Sequence, residues 1–197
     1  MADSTRERIV TEALRLFAER GYAGTSVAAI EGAAGLSPHS GSLYTHFASK
    51  EDVLTAAIDR AVGLAEAGFA LASMLPLGDL RSEMTLIARG SLMLMGTWRD
   101  LIRVMLKESD QFPAQVADAR ARLFDTSYRF LADWLGAKAK TGELPDRDFE
   151  AITSIWLGSV EHYWVMSNVY AGPPLGLDDE RFIAQWVDTL LGALGAR

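Results

Sequence analysis

Side chains that can hydrogen-bond to phosphates or to the edges of bases are gathered in one stretch of this chain, residues 21–50. The stretch reads GYAGTSVAAIEGAAGLSPHSGSLYTHFASK and carries several hydroxyls, two imidazoles and one ammonium group. Short hydroxyls donate to or accept from either target, and a tyrosine hydroxyl or a lysine ammonium commonly meets phosphate. The chemistry available here is therefore recognition through hydrogen bonds.

Catalytic chemistry finds little support in the sequence. The chain has no cysteine, and its histidines (His39, His46 and His162) are far apart. It also lacks a glycine-rich loop of the phosphate-cradling kind and shows no metal-ligand spacing. We expect no enzymatic activity, no metal and no cofactor.

The elements that position the polar stretch are short helices. Residues 5–20 form an amphipathic pattern that Gly21 ends, and Thr25 or Ser26 is expected to cap a second helix. Gly35 and Leu36 make a turn, after which Ser37-Pro38 resembles an N-cap followed by proline at the first helical position. Two short helices joined by a tight turn form a helix-turn-helix, a device that reads DNA.

A long connecting helix follows this motif. Ser49 and Asp52 have the spacing of a capping box, and the apolar pattern continues to about residue 75 without a linker-like run. Beyond it the sequence shows only helical periodicity. We predict an all-α protein of about nine helices: a three-helix domain over 1–48, and a helical bundle over 49–197 that the helix 49–75 joins to it.

Composition favours a soluble, cytoplasmic protein that does not associate with a membrane. Half of the residues are apolar (49%), no secretory signal or membrane-spanning run is visible, and the net charge is −7. Residues 1–60 hold six basic and eight acidic groups, a balance of −2. Since DNA-binding domains are usually basic, any phosphate contacts must come from a few placed groups.

The last two predicted helices carry more apolar surface than one face can bury. A helix that is apolar on two sides is either internal or packs partly on another subunit. We expect this pair to associate with a second copy of the chain, and a purely internal role is the alternative. The predicted interface residues are Ile155, Ser159, His162, Phe182, Trp186 and Leu190.

Several motifs of residues 5–60 together resemble the TetR family of bacterial transcriptional repressors. They are LFAERGY at 16–22, Thr25-Ser26 before the second helix, AAGLS at 33–37, LYTHF at 43–47 and SKEDVL at 49–54. The resemblance implies an all-helical homodimer with a DNA-binding domain and a ligand-binding bundle whose last two helices form the dimer interface. It also implies a repressor that binds a palindromic operator and that a small-molecule effector releases.

The resemblance indicates which residues contact DNA, and the soft or aromatic residues of the C-terminal part indicate which ones bind a ligand. The expected DNA-binding residues are Thr25, Ser26, His39, Ser40, Ser42, Tyr44, Thr45, His46 and Lys50. The expected ligand-binding residues are soft or aromatic and favour an apolar or aromatic effector: Met93, Trp98, Met105, Phe130, Trp134, Trp156, Tyr163 and Met166. Each of the latter could instead be ordinary core.

One segment departs from the usual family pattern. Ser37 to Tyr44 is two residues longer than the common spacing, and we treat Pro38-His39 as the extra residues. Which of His39, Ser40 and Ser42 enters the major groove stays open. The competing interpretation is a helical small-molecule-binding or interaction protein that does not bind DNA, and the −2 balance of residues 1–60 favours it.

Overall fold

A computed structural model describes residues 4–73, 78–170 and 172–195, and the regular structure within these ranges is entirely helical, as predicted. The α-helices are α1 (Thr5–Arg20), α2 (Val27–Ala33), α3 (Lys50–Ser73), α4 (Leu80–Thr97), α5 (Arg99–Lys107), α6 (Pro113–Ala119), α7 (Thr126–Lys140), α8 (Phe149–Asn168) and α9 (Asp179–Leu194). Short 3-10 helices occupy Ser42–Thr45 and Pro174–Gly176, and a π-helix occupies Arg120–Asp125. None of the helices in the described part of the chain could cross a membrane.

The ends of the first helices follow from local hydrogen bonding. The Ser4 hydroxyl accepts the Glu7 N–H at the start of α1, and Gly21, at φ 79°, ends it by donating its N–H to Phe17. Ser26 caps α2 by accepting the Ala29 N–H. The sequence left Thr25 and Ser26 as alternatives for this cap, and the structure selects Ser26.

The expected helix start at Ser37-Pro38 is not formed. Residues 37–40 make a turn in which the Ser40 N–H donates to the Ser37 carbonyl at 3.2 Å. His39 has φ 64° and Gly41 has φ 72°, and these left-handed residues cannot continue a right-handed helix. Regular structure resumes only at Ser42, so the two extra residues, Pro38 and His39, are absorbed in the turn.

Helix α3 begins as the sequence predicts, because the Ser49 hydroxyl accepts the Asp52 N–H at 3.0 Å. Its predicted end near residue 75 lies outside the described residues.

The chain divides into two compact units. The first contains Met1–Leu64 with Trp98–Arg120, and the second contains Ala65–Thr97 with Ala121–Arg197. Helices α5 and α6 belong to the first unit, together with the N-terminal helices. The fully buried side chains of the first unit include Ile9, Phe17, Ile30, Leu43, Ile58 and Leu101.

In the second unit α7 packs on α8, and α4 packs on both α8 and α9. Trp156 on α8 and Trp186 on α9 each donate an indole N–H to the other's carbonyl, at 3.3 and 2.9 Å. Lys138 on α7 meets the buried Glu83 of α4 at 2.8 Å. The fully buried side chains here include Met84, Leu123, Leu131, Leu135, Leu190 and Leu194.

Candidate nucleic-acid interface

The turn formed by Ser42–Thr45, called here the recognition turn, carries an exposed polar surface. Tyr44 is 57% exposed. Other predicted DNA-binding residues are also exposed, namely Ser26, His39, Ser40, Thr45 and His46, and Ser42 is partly exposed. The structure thus presents most of the predicted DNA-binding residues to solvent within one unit.

Local hydrogen bonds shape this turn. Gly41, which precedes it, has no side chain to cap it, and the Ser40 hydroxyl instead accepts the Ser42 N–H at 3.2 Å. The Ser40 and Ser42 hydroxyls lie 2.6 Å apart, and the Thr45 hydroxyl donates to the Ser42 carbonyl at 2.6 Å. Each hydroxyl oxygen keeps accepting capacity, so these residues can meet donors on base edges.

Glu31 is a residue of this site that sequence reasoning missed. It lies on α2, is fully buried, and its Oε1 accepts the Leu43 N–H at 3.1 Å. Its Oε2 has no hydrogen-bond partner among the residues that the structure describes. The sequence feature that could have indicated Glu31 is its position as a lone carboxylate among the small residues Ala28, Ala29, Gly32 and Ala33. Glu31 therefore fixes the recognition turn to α2 from within.

Two predicted DNA-binding residues face inward. Thr25 is buried, and its hydroxyl lies 3.2 Å from the Leu16 carbonyl and 2.8 Å from the Gly21 carbonyl. Lys50 donates to the carbonyls of Tyr22 at 2.6 Å and Thr25 at 2.8 Å, and its ammonium lies 3.9 Å from the Tyr22 ring centre. Burial lowers the pKa of Lys50, against an opposing effect of Glu108. The polar groups of Thr25 and Lys50 therefore stabilise the loop between α1 and α2.

The end of α5 and the segment between α5 and α6 contribute further residues that contact the end of α1 and the loop after it. Glu108 accepts the Tyr22 N–H at 3.0 Å, and Phe112 meets the Tyr22 ring edge-on at 4.5 Å. Lys107 donates to the Ala18 carbonyl at 2.5 Å. These partners are separated by more than eighty residues in sequence, so no local pattern could have revealed them.

The predicted ligand-binding residues are not gathered in one unit. Trp98 and Met105 lie in the first unit, whereas the other six lie in the second. Met93 is exposed, and Tyr163 is buried with its hydroxyl 2.6 Å from Asp179 and 3.0 Å from the Leu177 carbonyl. Burial, with that contact to Asp179, raises the pKa of Tyr163 to about 12. Phe130, Trp134, Trp156 and Met166 are half-buried.

The predicted dimer residues divide by exposure. Ile155, Ser159 and His162 are exposed along one side of α8. Phe182 is half-buried and stacks on Tyr163 with ring centres 4.0 Å apart, while Trp186 and Leu190 are buried in the protomer's own core. The last two therefore have no side-chain surface to offer to a second copy.

A comparison with known families identifies the N-terminal segment. Residues 9–57 match the family of bacterial regulatory proteins called the tetR family, and this segment runs from within α1 through α2 and the recognition turn to the start of α3. The N-terminal quarter of the chain is therefore similar to the DNA-binding segment of that family, the resemblance that the motifs predicted. The HTH-type transcriptional regulator YerO of Bacillus subtilis is 39% identical over 59 residues, which make up 30% of this chain and 20% of YerO. The chain thus matches about a fifth of that relative's length.

Solved structures share the fold over nearly the whole chain. The fatty acid degradation regulator FadR from Bacillus halodurans has a TM-score of 0.73 at 19% identity, with both chains fully covered. AibR, crystallised with isovaleryl coenzyme A and operator DNA, has a TM-score of 0.67 at 23% identity, covering 97% of this chain and 98% of its own. At such identities the likeness establishes the fold: a helix-turn-helix segment followed by a helical bundle.

Proposed function

We propose that the protein is a ligand-responsive transcriptional repressor that binds a palindromic DNA operator as a homodimer. The observation that carries this proposal is the exposed polar surface of the recognition turn within a TetR-family domain. Tyr44 is the centre of that surface, and it stands out to solvent although it is a large aromatic side chain. An exposed tyrosine among hydroxyls and imidazoles suits contact with phosphates and base edges.

The dimer is proposed to form through the exposed sides of α8 and α9. Ile155 is 65% exposed on α8, in line with Ser159 and His162. Ala184, Gly192 and Ala193 on α9 are exposed and small, which would permit close helix approach. A two-fold dimer presents two recognition turns about 34–36 Å apart, or a multiple of that, and so favours a palindromic site.

The effector is proposed to be a mainly apolar or aromatic small molecule bound in the second unit. Half-buried Phe130, Trp134, Trp156 and Met166 are the side chains from the predicted set that support this. AibR, whose structure holds isovaleryl coenzyme A, offers a precedent for a ligand with an apolar acyl part. The cytoplasm is the proposed location, because a repressor must reach its operator DNA there.

Helix α3 is the proposed route of coupling. It runs without interruption from Lys50 to Ser73, and its first part belongs to the first unit and its second part to the second. A ligand can shift the equilibrium between two positions of this helix only by the difference in its affinity for the two conformations. Effector and operator would then weaken each other's binding by the same factor.

A selection of bound sites from random DNA tests the proposal. We expect a palindromic motif to be enriched, and we expect Tyr44→Ala to abolish the enrichment with little change in melting temperature. Tyr170→Ala is the matched control, because Tyr170 is 66% exposed but lies in the second unit. If the wild-type chain enriches no sequence, the protein is instead a helical binding protein that does not act on DNA.

A further inference from the structure

The cations of the DNA-binding unit are largely engaged within the protein. Lys50, which the sequence favoured as a phosphate partner, donates to two backbone carbonyls. Arg15 pairs with Glu12 at 2.8 Å and with Glu19 at 3.0 Å. Arg60 lies 2.9 Å from the Thr11 hydroxyl and 3.4 Å from Glu7. Because residues 1–60 of this unit have a charge balance of −2, binding to DNA phosphates needs a cation whose charge faces outward.

Arg6 on the first turn of α1 has the required placement. Its guanidinium lies 4.7 Å from the ring centre of Phe47, which is buried and lies two residues after Thr45, the last residue of the recognition turn. The Arg6 side chain is 52% exposed. The aromatic ring therefore holds the cation beside the recognition turn while leaving much of the side chain in solvent.

The charge of Arg6 is only weakly neutralised. Its contact with Glu7 is 4.0 Å long, and Glu7 also faces Arg60 at 3.4 Å. A solvent-exposed ion pair of this length contributes little to stability. Arg6 can thus exchange Glu7 for a stronger acceptor at little cost.

We infer that Arg6 is a phosphate-binding residue of the operator interface and takes the role that the sequence assigned to Lys50. A guanidinium that lies on an aromatic ring still points its N–H groups sideways, where a phosphate can accept two of them. Phe47 sets the position of the guanidinium, and the recognition turn sets its distance from the DNA backbone. This inference rests on the proposed function and adds a contact that carries no sequence information.

The test measures operator affinity by fluorescence anisotropy from 50 to 200 mM salt, for the full-length protein and three variants. Each phosphate contact adds about 0.9 to the slope of log K against log salt, so Arg6→Met should reduce it by about 1.8 in a dimer. Methionine keeps an apolar cover over Phe47. Arg20→Met is the matched control, since Arg20 is an exposed arginine at the opposite end of α1. We expect it to leave the slope unchanged.

Lys50→Met completes the experiment. We expect it to lower the melting temperature and to leave the salt slope of the folded protein unchanged. The inference is overturned if wild-type protein binds the operator and Arg6→Met lowers only the melting temperature, or if Lys50→Met alone reduces the slope. It is also overturned, together with the proposed function, if wild-type protein binds no DNA.

Discussion

Thr25 and Ser26 are adjacent hydroxyl residues with nearly the same chemistry, but one side chain is buried and the other is exposed. The Thr25 hydroxyl is buried against two backbone carbonyls, whereas the Ser26 hydroxyl caps α2 at the surface. Lys50 and Arg6 differ in the same way, since one cation is directed inward and the other is half in solvent. At the scale of single residues, a polar side chain that already hydrogen-bonds to the protein's own backbone is not available to DNA, whereas an exposed one is.

Glu31 is predicted to hold the recognition turn in place. Glu31→Ala would leave the buried Leu43 N–H without an acceptor, which costs about 1–3 kcal/mol, and we expect both stability and operator affinity to fall. Glu31→Gln keeps an acceptor oxygen at the same position and should restore most of both. Thermal unfolding monitored by circular dichroism measures the stability, and fluorescence anisotropy measures the operator affinity. Amide hydrogen exchange at Leu43 reports on the hydrogen bond itself.

Hydrogen exchange at the Leu43 amide tests the proposed contact between the Glu31 carboxylate and the Leu43 N–H. Leu43 should exchange faster in Glu31→Ala than in Glu31→Gln, while amides in the middle of α1 keep their relative protection. Equal protection of Leu43 in both variants would contradict a capping role for the carboxylate.

Much of the residue-level site was predictable because its signals are local. The exposed set around Tyr44 follows from motifs spaced within a few residues, and the Ser49 cap follows from the residue three positions on. The inward direction of Lys50 was not predictable. The hydrogen-bond partners of Lys50 are the carbonyls of Tyr22 and Thr25. Tyr22 is in turn contacted by Glu108 and Phe112 from a distant part of the chain.

At the scale of elements, the recognition segment shows how a short insertion changes secondary structure. Ser37-Pro38 has the residues of a helix start, but the additional Pro38-His39 is accommodated by a turn with His39 in the left-handed region. The recognition element is consequently a 3-10 turn that Ser40 and Glu31 cap from outside it. Local propensity predicted a helix, and the left-handed backbone at His39 and Gly41 prevented it.

The contact between α7 and α8 supports a pH-dependent prediction. Burial raises the pKa of Glu161 on α8, although the hydrogen bond with Tyr128 of α7 opposes that effect. Because the folded-state pKa lies above the unfolded value of about 4.3, the folded protein favours the neutral acid. The stability that protonation contributes is present below about pH 4 and is lost as pH rises through the folded-state pKa.

Glu161→Gln should therefore raise the melting temperature at pH 7 and have little effect near pH 4, where the wild-type side chain is also neutral. Differential scanning calorimetry from pH 4 to pH 8 measures the difference between the two proteins. Glu150→Gln, on the exposed side of the same helix, is the control and should show no such trend. A melting difference independent of pH would show that the substitution acts through packing.

At the scale of the whole molecule, the division into units was the part least visible in the sequence. The pattern of α5 and α6 resembles that of the other bundle helices, so sequence alone placed them in the C-terminal domain. Within the first unit, Lys107 at the end of α5 and Glu108 just after it respectively donate to and accept from backbone groups near the end of α1, which no local pattern indicates. The overall all-α class, by contrast, follows directly from helical periodicity along the chain.

The assembly is predicted to depend on the exposed side of α8. A two-fold interface uses each residue twice, so Ile155→Glu would place two carboxylates in the apolar contact. At about 2 kcal/mol for each copy, the dimer dissociation constant should rise by roughly a thousand-fold. Sedimentation velocity measures this change, and operator affinity should fall with it because one subunit contacts only one half-site.

Leu86→Glu is the matched control for this prediction. Leu86 is a 44% exposed leucine on α4 of the same unit, so the substitution introduces the same charge at a surface outside the proposed interface. If Leu86→Glu also dissociates the protein, net charge rather than the α8 contact governs assembly. If neither variant dissociates the protein, the dimer forms through another face. The half-site spacing of the motif enriched from random DNA would then indicate a different distance between the two recognition turns.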